Sequence, residues 1–212
     1  FAWAHEAGHV ETNPAAGVKL INMKTKGWTP WTLDDVAAYE ACHGPDSVER
    51  LWLHVLLWTG LRRGDACRIG PQHVKDGLVT LTAEKTGAVL CFPVLPELAA
   101  TLARHPRKAL AWIVSPTGQP YRSKEGFANA FRAACAKAGL KDRSPHGLRK
   151  TLATIMAERG ISEIMLQKWF GWGDVRISST YTRAAEVERL TRMAAEIMNR
   201  TSISAPKKKV RK

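Results

Sequence analysis

The sequence predicts a mainly α-helical α+β domain with a small antiparallel β-hairpin. Helix starts recur along the chain, with Ser, Thr or Asp before an apolar pattern of helical period and Gly after it. Two β-rich runs, Leu78–Thr82 and Val89–Phe92, flank a short turn containing Gly87. The 212 residues suffice for one domain with a sizeable core, or one domain and a small extra piece. The 45% hydrophobic and 24% charged content is ordinary for a globular protein.

Phe1–His9 reads as the end of a helix, stopped by Gly8 and the Thr12-Asn13-Pro14 turn. Residues 15–30 read as a basic linker (Lys19, Lys24, Lys26) without periodicity. Thr32–Asp35 is a capping box that opens a helix to about Cys42. Asp46–Glu49 opens a second helix, apolar nearly all round through Leu51, Leu53, Val55, Leu56, Leu57 and Trp58, hence central and buried. Gly60 stops it. Thr59–Asp65 then reads as a tight turn carrying Arg62 and Arg63, with Arg62 positioned by the core and Asp65 available to pair with it. Glu84–Gly87 is the hairpin turn, with Lys85 near its tip.

Pro96–His105 is helical, Trp112–Val114 is short and buried, and residues 116–121 form a loop. Ser123 caps a helix through Phe127, Phe131 and Cys135 to Gly139. Ser144 as N-cap and Pro145 at the first helical position open a helix that ends at Gly160. Ser162 starts a short helix, Glu163–Phe170, closed by Gly171-Trp172-Gly173. The run Val175–Thr182 contains Tyr181. A last helix spans Ala184–Asn199, with apolar positions at Val187, Leu190, Met193, Ala194, Ile197 and Met198 that fit its own domain or a neighbour. Pro206–Lys212 is a solvated basic tail able to touch phosphates, and it is similar to a lysine-rich nuclear import signal; nothing else in the chain points to a nucleus.

The balance of 32 Lys+Arg against 19 Asp+Glu, a net +13, points to a polyanionic partner, nucleic acid before membrane. No apolar run is long enough to span a bilayer, and no signal peptide is visible. The chain opens on Phe1, which reads as a fragment or a processed chain. Cys42, Cys67, Cys91 and Cys135 contain no C-x-x-C pair, so reduced and mostly packed thiols are expected. His5-Glu6-Ala7-Gly8-His9 formally matches the zinc-peptidase helix H-E-x-x-H. That reading needs a continuous helix and a third ligand. Gly8 and the following turn weaken the helix, and only Glu40 can be invoked as the ligand. There is no P-loop, dinucleotide fingerprint or acidic metal cluster, so no cofactor and no metal are expected.

His146 and Arg149 lie three residues apart at the start of the Ser144-capped helix, on one face and close to the positive end of its dipole. A cation, a proton-transfer group and a helix N-terminus converge there as a phosphate site.

With Arg62 and Lys85 upstream and Trp172 and Tyr181 downstream, the ordered set resembles the tyrosine recombinase (phage integrase) family over nearly the whole chain after the linker. Thr59-Gly60-Leu61-Arg62 looks like the family's first catalytic Arg, and Lys85-Thr86-Gly87 like its catalytic Lys turn. His146-Gly147-Leu148-Arg149 looks like the H-x-L-R box. Phe170-Gly171-Trp172 looks like the L-G-H box, with Trp where many members have His. Tyr181, nine residues on, falls where the nucleophile falls.

The resemblance implies a catalytic domain of tyrosine recombinase type over residues 31–200. Residues 1–30 would be the end of a core-binding domain plus linker, and residues 201–212 a flexible basic tail. It implies site-specific recombination of double-stranded DNA at att-like sites, through a 3′-phosphotyrosine and a free 5′-hydroxyl, without metal or ATP. It implies a homotetramer on DNA, weakly associating without it, with the Ala184–Asn199 helix docking on a neighbour. The expected location is the bacterial cytoplasm, at the nucleoid. The chemistry suits the residue types. Two Arg clamp the non-bridging oxygens, Lys85 protonates the departing 5′-oxygen, His146 exchanges protons, and Trp172 offers one N–H and supports Tyr181. The alternatives are a non-catalytic DNA-binding domain of the same fold, a type IB topoisomerase and the zinc peptidase.

Overall fold

Side-chain caps set most of the helix starts. The computed structural model describes residues 1–18, 27–106 and 109–200. Among them, α1 is Ala2–Glu6 and α2 is Leu33–Cys42, the latter opened by a complete Thr32/Asp35 capping box. Helix α3, Val48–Thr59, is capped by the Ser47 hydroxyl and ended by Gly60 in the left-handed conformation. Helix α4 is Arg63–Arg68; β1, β2 and β3 are Val74–Lys75, Leu78–Thr82 and Val89–Pro93. The remaining helices are α5 (Pro96–Arg104), α6 (Lys124–Lys137), α7 (Pro145–Glu158), α8 (Glu163–Phe170) and α9 (Val175–Arg200). The mainly helical α+β expectation is met.

The sheet is antiparallel in the order β1-β2-β3, with Val79 opposite Phe92 and Leu81 opposite Leu90. These four side chains are buried while their neighbours along each strand are exposed, so one face lies on the core. Helix α3 is the central element, with Leu51, Trp52, Leu53, Val55, Leu56 and Leu57 all buried. Each such Leu contributes about 1.5–3 kcal/mol by leaving water. The main core joins α3, the sheet face and the aromatic cluster Trp31, Tyr39, Phe127 and Phe131. A smaller core joins Leu152, Ala153 and Ala157 of α7 to Leu166 and Phe170 of α8. Trp169 of α8 stacks on Phe92 of β3, with centroids 5.3 Å apart, and so fixes α8 against the sheet.

Three expectations need correction. The tight turn after Gly60 is instead the start of a short helix, with Arg62 at the N-cap of α4. The last helix, expected from Ala184, begins at Val175 and takes in the whole Val175–Thr182 run. The Ser, Thr and β-branched content of this run argues against helix, but tertiary contacts win. The Arg176 N–H is capped by Asp174 Oδ1 at 2.9 Å, and the Ser178 and Thr180 hydroxyls bond back to the Val175 and Arg176 carbonyls. Gln167 donates to Ser178, and Thr182 donates to Glu163 at 2.7 Å, so α8 holds this turn from outside. Finally, α1 stops at Glu6 and Gly8 is left-handed (φ 72°), so His5 and His9 do not share a helix face. Glu40 is engaged by His54 and Arg50 instead. Among the described residues no group of three His, Cys, Asp or Glu is placed to hold a metal ion, and the zinc-peptidase reading lapses.

The four cysteines are unpaired. Cys135 is buried, Cys42 and Cys67 are half-buried, and Cys91 is exposed. No helix among the described residues is long and apolar enough to cross a membrane. The basic tail, residues 201–212, and Lys19, Lys24 and Lys26 of the linker lie outside the described residues.

Candidate active site

A cleft of about 370 Å³ opens where α4, the β2–β3 turn, α6 and α7 meet. It is lined by Arg62, Arg63, Gly64, Asp65, Glu84, Lys85, Lys124 and His146. Three of the six sequence-predicted residues, Arg62, Lys85 and His146, thus share one cavity. Arg149, Trp172 and Tyr181 do not line it. They form an adjoining group, joined to it through Arg149.

Arg62 is delivered by the end of α3. Left-handed Gly60 packs so closely that a Cβ there would lie 2.9 Å from Leu152 Cδ2 and inside contact with the Phe170 ring. The chain therefore leaves the core in one direction only. Nη1 of Arg62 is buried and has no hydrogen-bond partner among the described residues. A desolvated guanidinium N–H without an acceptor is unfavourable by itself.

Asp65 is not Arg62's partner. Its carboxylate is 2% exposed and accepts from Arg68 Nη2 at 2.6 Å and from the Glu84 N–H at 2.9 Å. Arg68 Nη2 also donates to the Thr82 carbonyl. Asp65 and Arg68 therefore bolt α4 to the hairpin turn that carries Lys85, whose geometry is closed by Ala83 N–H to Ala88 O and Gly87 N–H to Ala83 O. The other cations of the cleft are neutralised. Arg63 pairs with Glu125 at 3.2 Å, and Lys124 with Glu84 at 3.5 Å. Arg62 and Lys85 have no ion pair among the described residues.

His146 stands in the first turn of α7, whose N-cap is the Ser144 hydroxyl. Burial lowers its pKa below the ordinary 6.5, and the cations Arg63, Arg149, Arg62 and Lys85 push in the same direction. The ring is therefore neutral at pH 7, with one nitrogen free to accept a proton.

Arg149 does not clamp outward with both arms, as the sequence suggested. It is 8% exposed, and it donates from Nη1 to the Gly60 carbonyl at 2.6 Å and from Nη2 to the Phe170 carbonyl at 2.7 Å. Its guanidinium also lies 4.9 Å from the Phe170 ring centroid and 5.6 Å from that of Trp172. Burial, with Arg62 adding repulsion, pushes its pKa down to about 9, which still leaves it charged at neutral pH.

Trp172 stacks with Phe170 (4.6 Å, 13°) and with Tyr181 (5.4 Å, 7°). This holds Tyr181 by its ring within the electrostatic reach of Arg149. Burial raises the phenol pKa, and Arg149 opposes that rise.

The sequence reading missed Trp28, whose ring stacks on His146 at 5.2 Å and 24°. It also missed Lys124 and Glu125 of α6, which pair with Glu84 and Arg63 respectively across the cleft rim. No periodicity marks Trp28, and a lysine beside a helix cap looks like any solvated lysine.

Arg62, Lys85 and His146 thus line one cleft, and Tyr181 lies beside it, stacked on Trp172, over whose ring Arg149 lies. Residues 36–188 match the phage integrase family, and the chain belongs to that family. It is 30% identical over 94 residues to the integrase of Escherichia phage HK022, covering 44% of this chain and 26% of that one. It is 26% identical over 196 residues to the integrase of Mycobacterium phage FRAT1, covering 80% and 57%. The chain thus spans about a quarter and just over half of the lengths of these curated relatives. In fold it is similar to lambda integrase, solved as a dimer bound to a COC′ core site (TM-score 0.69, 24% identity, 86% of this chain and 55% of that chain). It is likewise similar to lambda integrase solved as a tetramer bound to a Holliday junction (TM-score 0.66, 24%, 85% and 55%).

Proposed function

We propose that the chain carries the strand-cleaving domain, residues 31–200, of a site-specific DNA recombinase that works through a 3′-phosphotyrosine. The observation that carries this is the shared cleft lined by Arg62, Lys85 and His146, in which the Arg62 side chain keeps a buried Nη1 without a hydrogen-bond partner among the described residues. In the reaction, Tyr181 Oη attacks the scissile phosphorus. The P–O5′ bond breaks, and its electron pair leaves on the 5′-oxygen, which takes a proton from Lys85. The phenol is protonated at neutral pH, so its proton must leave during attack. Neutral His146 is the acceptor the cleft offers. Arg62 meets the charge that grows on a non-bridging oxygen, with the remaining N–H groups of Arg149 beside it. Rejoining reverses these steps with the 5′-hydroxyl of another strand, so no high-energy cofactor and no metal are consumed. Trp172 has no titratable proton and acts by holding Tyr181.

The partner is double-stranded DNA at att-like sites, and the working assembly is a tetramer, as the lambda integrase complex on a Holliday junction suggests. The setting is a bacterial cytoplasm at the nucleoid. Incubation with nicked att-site duplexes, followed by denaturing electrophoresis, tests this. The wild-type chain forms a covalent protein–DNA band, and Tyr181→Phe forms none while keeping its fold. A band from Tyr181→Phe reassigns the nucleophile. Salt-sensitive DNA binding without any wild-type band makes the chain a binding module.

A further inference from the structure

The segment leading into α2 runs across the start of α7 and is fastened there. The Trp31 N–H donates to Thr151 Oγ1 at 2.7 Å, and Thr151 donates back to the Trp31 carbonyl at 2.8 Å. Trp31 Nε1 donates to the Ser144 carbonyl at 3.0 Å. The contact is tight at Gly147. A Cβ there would lie 2.8 Å from Trp31 Cδ1, and closer still to the Thr29 carbonyl oxygen. Three residues before the fastening, Trp28 lays its indole on the His146 imidazole at 5.2 Å and 24° while remaining 56% exposed itself.

We propose that Trp28 is a positioning residue for His146. Its ring fixes the imidazole plane and screens one face of it from water, so that the imidazole meets the cleft in a single orientation. The inference rests on the phosphotyrosine reading for its catalytic consequence, but the stack itself does not. The strap residues Trp28 and Trp31 act through α7, not through the reacting atoms. The charged groups around the ring are Arg62, Arg63 and Asp65 of the α4 start, Glu84 and Lys85 of the hairpin, Lys124 and Arg132 of α6, Lys141, Asp142 and Arg143 of the loop before α7, and Arg149 of α7. Among the described residues, Trp28 is the ring that stacks on the imidazole and so serves as its planar support. Trp28 also borders a second groove with Arg63, Arg132, Lys141 and Arg143, so a direct DNA contact is the competing role.

The test follows the His146 imidazole by NMR in the full chain, with its signals assigned by their loss in His146→Gln. In the wild type, the ring protons carry an upfield ring-current shift, and the midpoint lies below 6.5. Trp28→Ala removes the ring-current shift and moves the midpoint upward, and Trp28→Phe keeps both largely in place. Single-turnover adduct formation on a nicked duplex cleaved by the wild type then falls roughly tenfold in Trp28→Ala and recovers in Trp28→Phe, with duplex affinity unchanged. His146 signals identical in wild type and Trp28→Ala overturn the proposal. So does a fall in duplex affinity that by itself accounts for the lost rate, since that makes Trp28 a DNA contact. If the wild type forms no adduct, the phosphotyrosine reading fails separately, while the imidazole titration still decides the stack.

Discussion

Arg62 and Arg149 repel each other across one site and carry the same group, yet the protein uses them in opposite ways. Arg149 is buried and gives two of its N–H groups to carbonyls at the ends of two helices, Gly60 after α3 and Phe170 at the end of α8. It is a cross-link. By joining those chain ends it sets where Arg62 leaves the core and where Trp172 begins its stack on Tyr181. Arg62 has a buried N–H with no acceptor, and no carboxylate partner, among the described residues. Asp65, which could have neutralised it, is turned to Arg68 and the hairpin. Two arginines in one site thus differ in use: one holds chain ends together, and the other keeps an unsatisfied N–H, which the proposed reaction assigns to the phosphate.

Replacing each arginine separates these roles. The largest effect is expected from Arg149→Ala. Two charge-assisted hydrogen bonds disappear and two buried carbonyls lose their donors, at about 1.5–3 kcal/mol each, so stability falls by about 3–5 kcal/mol in urea denaturation and adduct formation is lost with it. Arg62→Ala is expected to change stability by less than about 1 kcal/mol, because it removes an unsatisfied group, while the rate of adduct formation drops about 10²–10³-fold. Equal destabilisation by both variants would break the comparison.

The smallest effect concerns pH. The folded-state pKa of His146 lies below the ordinary 6.5 because of burial and the surrounding cations. The unfolded chain therefore binds the proton more readily. Its contribution to stability is fully present above about pH 6.5 and is lost as pH falls through the folded pKa. Urea midpoints measured from pH 7.5 down to pH 5 should fall less steeply in His146→Gln than in the wild type. A steeper fall in the variant would contradict the sign.

Much of the fold was legible because helix ends are local chemistry. Thr32, Ser47, Ser123, Ser144 and Ser162 each cap a helix with their own hydroxyl, as their positions before apolar periodic runs predicted. The hairpin was legible from β-branched runs around Gly87. The start of α9 was not. Its Ser-Ser-Thr run is held helical by Asp174 and by side chains of α8, which lie close in space but outside any local propensity. Its apolar stripe was read as fitting its own domain or a neighbour, and Val187, Met193, Ile197 and Met198 are exposed in this chain, so they do not pack on their own domain. Of the site, the ordered set Arg62, Lys85, His146, Arg149, Trp172 and Tyr181 was visible as a family pattern.

By itself, the sequence determined which groups are present, that the Ser144-capped helix carries His146 and Arg149, that Lys85 sits on the hairpin turn, and that the set comes in the family's order. Only the tertiary structure decided how each group is used. Arg149 reaches carbonyls 89 and 21 residues away, Asp65 turns from Arg62 to Glu84, and Trp28 covers a histidine far along the chain. The physical reason is that a cap or a turn is satisfied within a few residues, so its signature is local. A buried polar group takes whatever partner the packed chain brings to it, and no spacing along the sequence records that choice.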